Sequence, residues 1–309
     1  MKGAVIYCTE QGLGRQAKSF FDHGIFSEVL IQPHHSYVNH YEWYPNRVRD
    51  YEELLSKCSE IWFFETPFDW KYITRARERG IKTVLVLMYE CSKNPLPYFP
   101  DVLVGGSVME REFFGDTVHV INVPASDELV WRKRVKAEIF IHNGGHGGIG
   151  GRNGTRELME AMKHVKSPIK LIIRTQIPIK MIDDPRIEYR VGDFPYEQIF
   201  DEGDVFIYPD KFGGSCLPLQ EAHASGMMVM ASDRHPTNTW LPKECLIPIE
   251  GYTKERISSV FDSAIVSPIK IAECLDKWYN KDITEFSLQG KQWKEQNSWT
   301  KLKPLYEAL

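Results

Sequence analysis

The chain has 309 residues, about twice the usual domain length, so two domains with separate cores are expected. Its 42% hydrophobic, 26% charged and 12% aromatic composition excludes disordered and fibrous classes. With 38 Lys plus Arg against 42 Asp plus Glu, the formal charge of -4 excludes a global positive field that would concentrate polyanions, so any nucleic-acid contact must be local.

The N-terminal Met-Lys-Gly-Ala-Val-Ile-Tyr-Cys enters a strand-like run at once, without the apolar core and small-residue cleavage site of a signal peptide. The longest apolar runs, at 84–88 and 227–231, are strand-sized and far short of a bilayer span. A cytoplasmic protein with no integral membrane association is expected. The first half alternates candidate strands at 4–7, 27–31, 60–64, 83–88, 102–105 and 119–122 with helical stretches at 14–23, 49–56 and 70–79. A charged connector follows at 124–136, and a second alternation begins. Its strands are expected at 138–142, 170–174, 187–190, 205–208, 227–231 and 245–247, with helices at 155–164, 195–202, 218–225 and 267–279. Such alternation is the signature of parallel sheets with crossover helices, so the fold class is α/β, with two doubly wound domains whose strand ends face a central cleft.

Glycine marks where a ligand can approach backbone. After the first strand, Gly12 and Gly14 open a helix in a pattern that serves equally as a tight turn or as a ligand contact. The third glycine of the dinucleotide fingerprint is missing. The second domain opens with residues 142–155, which hold seven glycines, among them Gly144, Gly145 and Gly147, with His146, Arg152 and Asn153. A glycine-rich strand-to-helix turn exposes N–H groups, and Arg152 adds a planar, permanently charged fork, so the segment suits a diphosphate. No Gly-Lys-Ser/Thr follows, so it is not a Walker A loop. The third element runs from strand 205–208 through Asp210, Lys211, Gly213, Gly214, Ser215, Cys216 and Leu217 into a helix carrying Glu221. Its turn amides can hold phosphate or sugar hydroxyls, while Glu221 serves either as a ribose-diol acceptor or as a helix-dipole carboxylate.

The order strand, glycine turn, Leu-Pro-Leu-Gln-Glu-Ala, Ala-Ser-Gly and Met-Val-Met-Ala-Ser-Asp resembles the donor segment of GT-B glycosyltransferases of the retaining, GT4-like type. Arg152-Asn153-Gly154 with Glu157 to Ala161 resembles the family's Lys-Gly turn and helix, and Asn297-Ser298-Trp299 with Leu305-Tyr306 resembles its returning C-terminal helix. The resemblance covers residues 138–309, and the first domain by architecture. It implies a GT-B architecture of two Rossmann-like domains: an acceptor domain at 1–130, a donor domain at 137–285 and a returning helix at 286–309.

The resemblance further implies a sugar transferase using a UDP- or GDP-sugar as co-substrate, with no bound cofactor and no metal. Arg152 would meet phosphate, Glu221 the ribose, and His146 would be a helper; these are the catalytic expectations. Gly192 and Phe194 would flank the base, and Lys211 or Arg174 would add positive charge. Two departures from the family stand out: its first paired glutamate is replaced by Gly213, with Asp210 as a substitute, and its phosphate lysine by Asn153. A catalytically weak nucleotide-sugar-binding module is the alternative they suggest. The acceptor would meet the aromatic and histidine-rich segment of His34, His35, Tyr41 and Trp43, which serves equally as an ordered loop with its rings packed inward. Basic groups at Lys71, Arg75, Arg77 and Arg79, and at Arg132, Lys133, Arg134 and Lys136, can track a phosphate backbone. The chain also looks like compact bacteriophage glycosyltransferases, some of which modify hydroxymethylated DNA bases. A glycan, a small molecule and DNA are therefore all candidate acceptors.

Overall fold

The computed structural model describes residues 1–34, 37–146 and 151–309. It divides into two compact units, one of residues 1–124, 256–260 and 299–309, the other of residues 125–255 and 261–298.

In the first unit, apolar runs too short for helices form six parallel strands: β1 (Lys2–Ile6), β2 (Glu28–Ile31), β3 (Glu60–Phe64), β4 (Lys82–Leu87), β5 (Val102–Gly105) and β6 (Val118–Val120). Every residue of β3 is buried, as a central strand covered on both faces requires. The spatial order is β2-β1-β3-β4-β5-β6, so the chain reverses direction across the sheet between β1 and β3. Helices α1 (Gly12–Asp22), α2 (Tyr51–Lys57), α3 (Lys71–Glu78) and α4 (Val108–Phe114) make the crossovers. Asp50 caps α2 by accepting from the Glu53 N–H at 2.9 Å. Ser107 and Glu110 form a capping box on α4.

The second unit repeats the design with β7 (Ile139–Gly145), α5 (Thr155–Ala161), β8 (Lys170–Thr175), β9 (Ile187–Val191), β10 (Val205–Tyr208), α6 (Leu217–Ala224), β11 (Met228–Ser232) and β12 (Leu246–Ile247). The order is β12-β11-β10-β7-β8-β9, and the reversal falls between β7 and β10. A two-stranded sheet, β13 (Ile249–Arg256) with β14 (Val260–Val266), follows, then α7 (Pro268–Trp278) and α8 (Thr284–Gln296). The last helix, α9 (Trp299–Glu307), belongs to the first unit. There Trp299 packs edge-on to Phe20 at 5.1 Å and donates from Nε1 to Ser19 Oγ at 2.8 Å. Trp299 and Tyr306 are both buried, each contributing roughly 2–3 kcal/mol of apolar burial.

Two parallel sheets with crossover helices agree with the expected α/β class. The helix expected at 195–202 is instead a single 3-10 turn, Tyr196–Gln198, because so short a polar run gains too few hydrogen bonds to offset nucleation. Both expected basic clusters carry local ion pairs. Arg75 and Arg79 pair with Glu52, Arg77 with Asp101, Arg132 with Asp201, and Lys136 with Glu138. Arg134 is buried and donates to the carbonyls of Arg132, Phe200, Asp201, Gly203 and Ser225, so its charge ties chain segments together. No helix among the described residues is long and apolar enough to cross a membrane.

Candidate functional site

Open α/β sheets bind ligands beyond the strand C-termini where the strand order reverses. In the second unit that point lies between β7 and β10, and the two loops leaving these strands are fastened to each other. Gly154 is the contact: it has φ +69°, and a Cβ there would stand 2.1 Å from the Pro209 carbonyl oxygen, so only glycine fits. The Lys211 N–H donates to the Arg152 carbonyl at 2.8 Å, and Lys211 Nζ reaches Glu157 Oε1 at 3.1 Å. Beneath them His142 is fully buried, and burial pushes its pKa down to about 4. It is therefore neutral. Its Nδ1 lies 2.9 Å from the Ile207 carbonyl, so Nδ1 donates and Nε2 accepts from the Thr155 hydroxyl at 2.7 Å.

Asn153 is 6% exposed, donates to the Gly144 carbonyl at 2.8 Å and accepts from the Tyr208 hydroxyl at 2.6 Å. Both ends of its amide are used in holding the turn. Asp210 is 1% exposed and forms an ion pair with Arg234, which is equally buried. Asp210, expected as the substitute for a sugar-gripping carboxylate, thus has its charge paired inside the protein. The Arg234 guanidinium also donates to the carbonyls of Gly213 and His235, both at 2.9 Å, and to Cys216 Sγ at 3.0 Å. Cys216 itself donates its thiol proton to Asp210 at 3.1 Å. Arg234 thus sets the shape of the 210–216 turn from below. The sequence reading missed it because its partners in that turn lie 18 to 24 residues away.

The turn ends in Cys216, whose φ of +45° is unusual for a residue with a side chain, and α6 begins at Leu217 with Pro218 in its first turn. Gln220 donates to the Ser215 carbonyl at 2.7 Å, which closes the turn onto the helix. Gly213 and Gly214 are buried, while Ser215 and Leu217 are partly exposed. Arg152 is half-buried, and its charge is felt at the Cys216 thiol and the Tyr208 hydroxyl, whose pKa values burial otherwise pushes up. Glu221, one turn into α6 and half-buried, accepts from the Tyr196 hydroxyl at 2.5 Å. Tyr196 lies just past Gly192 and Phe194, so the loop after β9 is joined to α6 through this bond. Arg174, expected to add positive charge, is 4% exposed, hydrogen-bonded to the Ile199 carbonyl, paired with Glu202, and set under the Phe194 ring at 5.3 Å. Gly144 and Gly145 close β7, and His146 follows them.

The structure therefore brings Arg152, Lys211, residues 213–217, Glu221 and the 192–196 loop to one strand edge of the second unit. Gly12, Gly14, His34, Tyr41 and Trp43 belong to the first unit. Gly14 is explained by packing, since a Cβ there would stand 2.1 Å from the Thr9 carbonyl oxygen. Gly147 and His35 lie outside the described residues. Among the described residues, no group of three or more His, Cys, Asp or Glu side chains is placed to hold a metal ion.

Solved structures resemble the whole chain. The structure of Anabaena HepE in complex with UDP matches with a TM-score of 0.70 at 9% identity, covering 99% of this chain and 98% of that one. A glycosyltransferase from Rickettsia africae matches with a TM-score of 0.66 at 10% identity, covering 99% of this chain and 97% of that one. The lipopolysaccharide outer core galactosyltransferase WaaB matches with a TM-score of 0.61 at 11% identity, covering 100% and 97%. The fold is GT-B. No family model matches the sequence, and no curated protein matches it.

Proposed function

We propose that the chain is a glycosyltransferase that moves a sugar from a nucleoside-diphosphate sugar to an acceptor hydroxyl. The observation that carries this reading is the fastening of residues 151–157 to residues 209–217 at the β7/β10 reversal, with Glu221 one turn inside α6. Main-chain N–H groups, the Arg152 fork and Lys211 there suit a diphosphate, and Glu221 suits a ribose diol. The fold likeness to HepE in complex with UDP favours a UDP-sugar, with a GDP-sugar second.

In the proposed reaction, the bond between the anomeric carbon and the diphosphate oxygen breaks and the acceptor oxygen bonds to that carbon. The acceptor proton passes to a donor phosphate oxygen, and the nucleoside diphosphate leaves. The chain's task is to stabilise an oxocarbenium-like centre and a departing dianion, which fixed dipoles and cations at the diphosphate do without rearranging. Arg152 and Lys211 supply that charge from the protein, which supports a route without a metal ion. A retaining outcome rests on the resemblance of the donor segment to GT4-like enzymes. The pairing of Arg75, Arg77, Arg79, Arg132 and Lys136 with nearby carboxylates favours a glycan or small-molecule acceptor over DNA.

A second reading, a sugar-nucleotide-binding module without turnover, is favoured by the absence of a carboxylate at Gly213 and the commitment of Asp210 to Arg234. Thermal shift with UDP-, GDP- and ADP-sugars, followed by assay of nucleoside diphosphate release, tests both. Stabilisation by one nucleotide family together with release supports transfer. Stabilisation without release across acceptors supports the module, and no stabilisation contradicts both.

A further inference from the structure

The residues gathered at the second unit's strand edge are held in two ways. Arg152 and Lys211 lie in turns that main-chain bonds fasten to each other. Tyr196, whose hydroxyl bonds Glu221, sits instead in a loop with no apolar anchor: none of residues 192–199 is buried, and the first buried side chain after β9 is Phe200. A segment that buries so little is placed by its polar bonds.

Those bonds converge on one guanidinium. Arg174 is the penultimate residue of β8, and it is buried. One terminal nitrogen donates to the Ile199 carbonyl, the other pairs with Glu202, and the guanidinium lies 5.3 Å from the centre of the Phe194 ring. Arg174 therefore meets the loop near its start, in its middle and at its end. The strand register sets Arg190 of β9 directly beside Arg174, a like-charge pair that Glu202 reconciles by bonding to both. Glu188 takes the Arg190 Nε at 2.6 Å. Two other bonds to β8 and the residue after it, from the Gly192 N–H to the Thr175 carbonyl at 2.9 Å and from Gln176 to the Asp193 carboxylate at 3.0 Å, fasten the first two residues of the loop.

We propose that Arg174 is a positioning residue for the donor: it sets the 192–202 loop so that the Tyr196 hydroxyl reaches Glu221 and orients that carboxylate for the ribose. The inference rests on the transferase reading above, in which Glu221 meets the ribose diol, and adds the group that orients it. A carboxylate already held by a phenol loses less freedom when the ribose binds, so the effect falls on donor affinity. Lysine keeps the charge of Arg174, but a point charge on a flexible stem cannot serve Ile199, Glu202 and the Phe194 face together.

The test is a double-mutant cycle on the full chain, read by calorimetry of UDP-glucose and GDP-mannose with urea unfolding alongside. The sugar nucleotide that wild type binds more tightly is used throughout, and binding of neither defeats the transferase reading and this inference together. Given binding, Arg174→Lys and Tyr196→Phe should each raise the donor Kd about fivefold. In the Tyr196→Phe background, Arg174→Lys should change it by less than about twofold, because the hydroxyl it places is gone. A role in stability alone would leave the full loss in that background. Should Arg174→Lys fail to fold, Glu202→Gln loosens the same clamp at its half-buried partner and takes its place in the cycle. An unchanged donor Kd in the clamp variant overturns the proposal. So does an unchanged Kd in Tyr196→Phe, or a clamp-variant loss that persists undiminished once the Tyr196 hydroxyl is removed.

Discussion

The two sheets reverse their strand order in the same way but furnish the reversal differently. In the second unit the strands β7 and β10 run into glycine turns fastened by main-chain bonds and shaped from beneath by a buried guanidinium. In the first, β1 and β3 run into Tyr7 and Glu65, and a loop of histidines and aromatic rings lies after β2. On the proposed function, the difference would match two recognition problems. A diphosphate has a constant shape and charge, which fixed amides and cations meet; an acceptor varies, and side chains are the parts of a fold that vary with it.

Four perturbations sharpen this contrast. The largest effect is expected from Arg234→Met, which strands the Asp210 charge in the interior and should cost roughly 3–5 kcal/mol in urea unfolding. Adding Asp210→Leu should recover most of that stability but not donor affinity, because the 210–216 turn still lacks its brace. Next, Gly154→Ala forces a side chain onto a left-handed backbone against the Pro209 carbonyl and should cost about 3 kcal/mol, read by the same unfolding curve.

Acid should then drive the units in opposite directions between pH 7 and pH 5. Burial lowers His142 and His223 in the second unit to about 4, so below the ordinary histidine value of 6.5 only the unfolded state takes up those protons, and stability falls with pH. In the first unit, burial first and then the neighbouring Glu90 charge raise Glu110 to about 7, so the folded state takes up its proton before the unfolded state does, and stability rises as pH falls. Each group contributes on the order of 1–2 kcal/mol over this window, and Glu110→Gln should remove the first unit's gain in denaturant titrations at the two pH values. Smallest is Glu221→Gln, which removes a charged acceptor but keeps the bond from Tyr196; donor affinity should weaken about tenfold by calorimetry with the fold unchanged.

The fold was largely legible because parallel strands buried on both faces appear as short β-branched and aromatic runs, as at β3 and β10, whose bounds match the expected ones. The β13–β14 pair was not, because Ile249–Arg256 is mostly exposed and its polar residues show no alternation to read. Glycine at 154 announced a close approach, yet its partner, the Pro209 carbonyl, is known only once the sheet brings β7 beside β10. Arg174, Asp210 and Asn153 carry groups suited to a donor, but sequence does not reveal burial, and each is turned inward to hold a loop. Arg234 was passed over for the converse reason, since a buried ion pair between distant positions leaves no local pattern.

The second unit's reversal point is proposed to hold the donor diphosphate. Amide hydrogen exchange with and without UDP-glucose locates the bound donor. The prediction is slowed exchange confined to residues 151–157 and 210–221, where loop amides would bond phosphate oxygens and α6 would be held through Glu221. Slowed exchange only at residues 7–14 of the first unit, with the second unit unchanged, would contradict it.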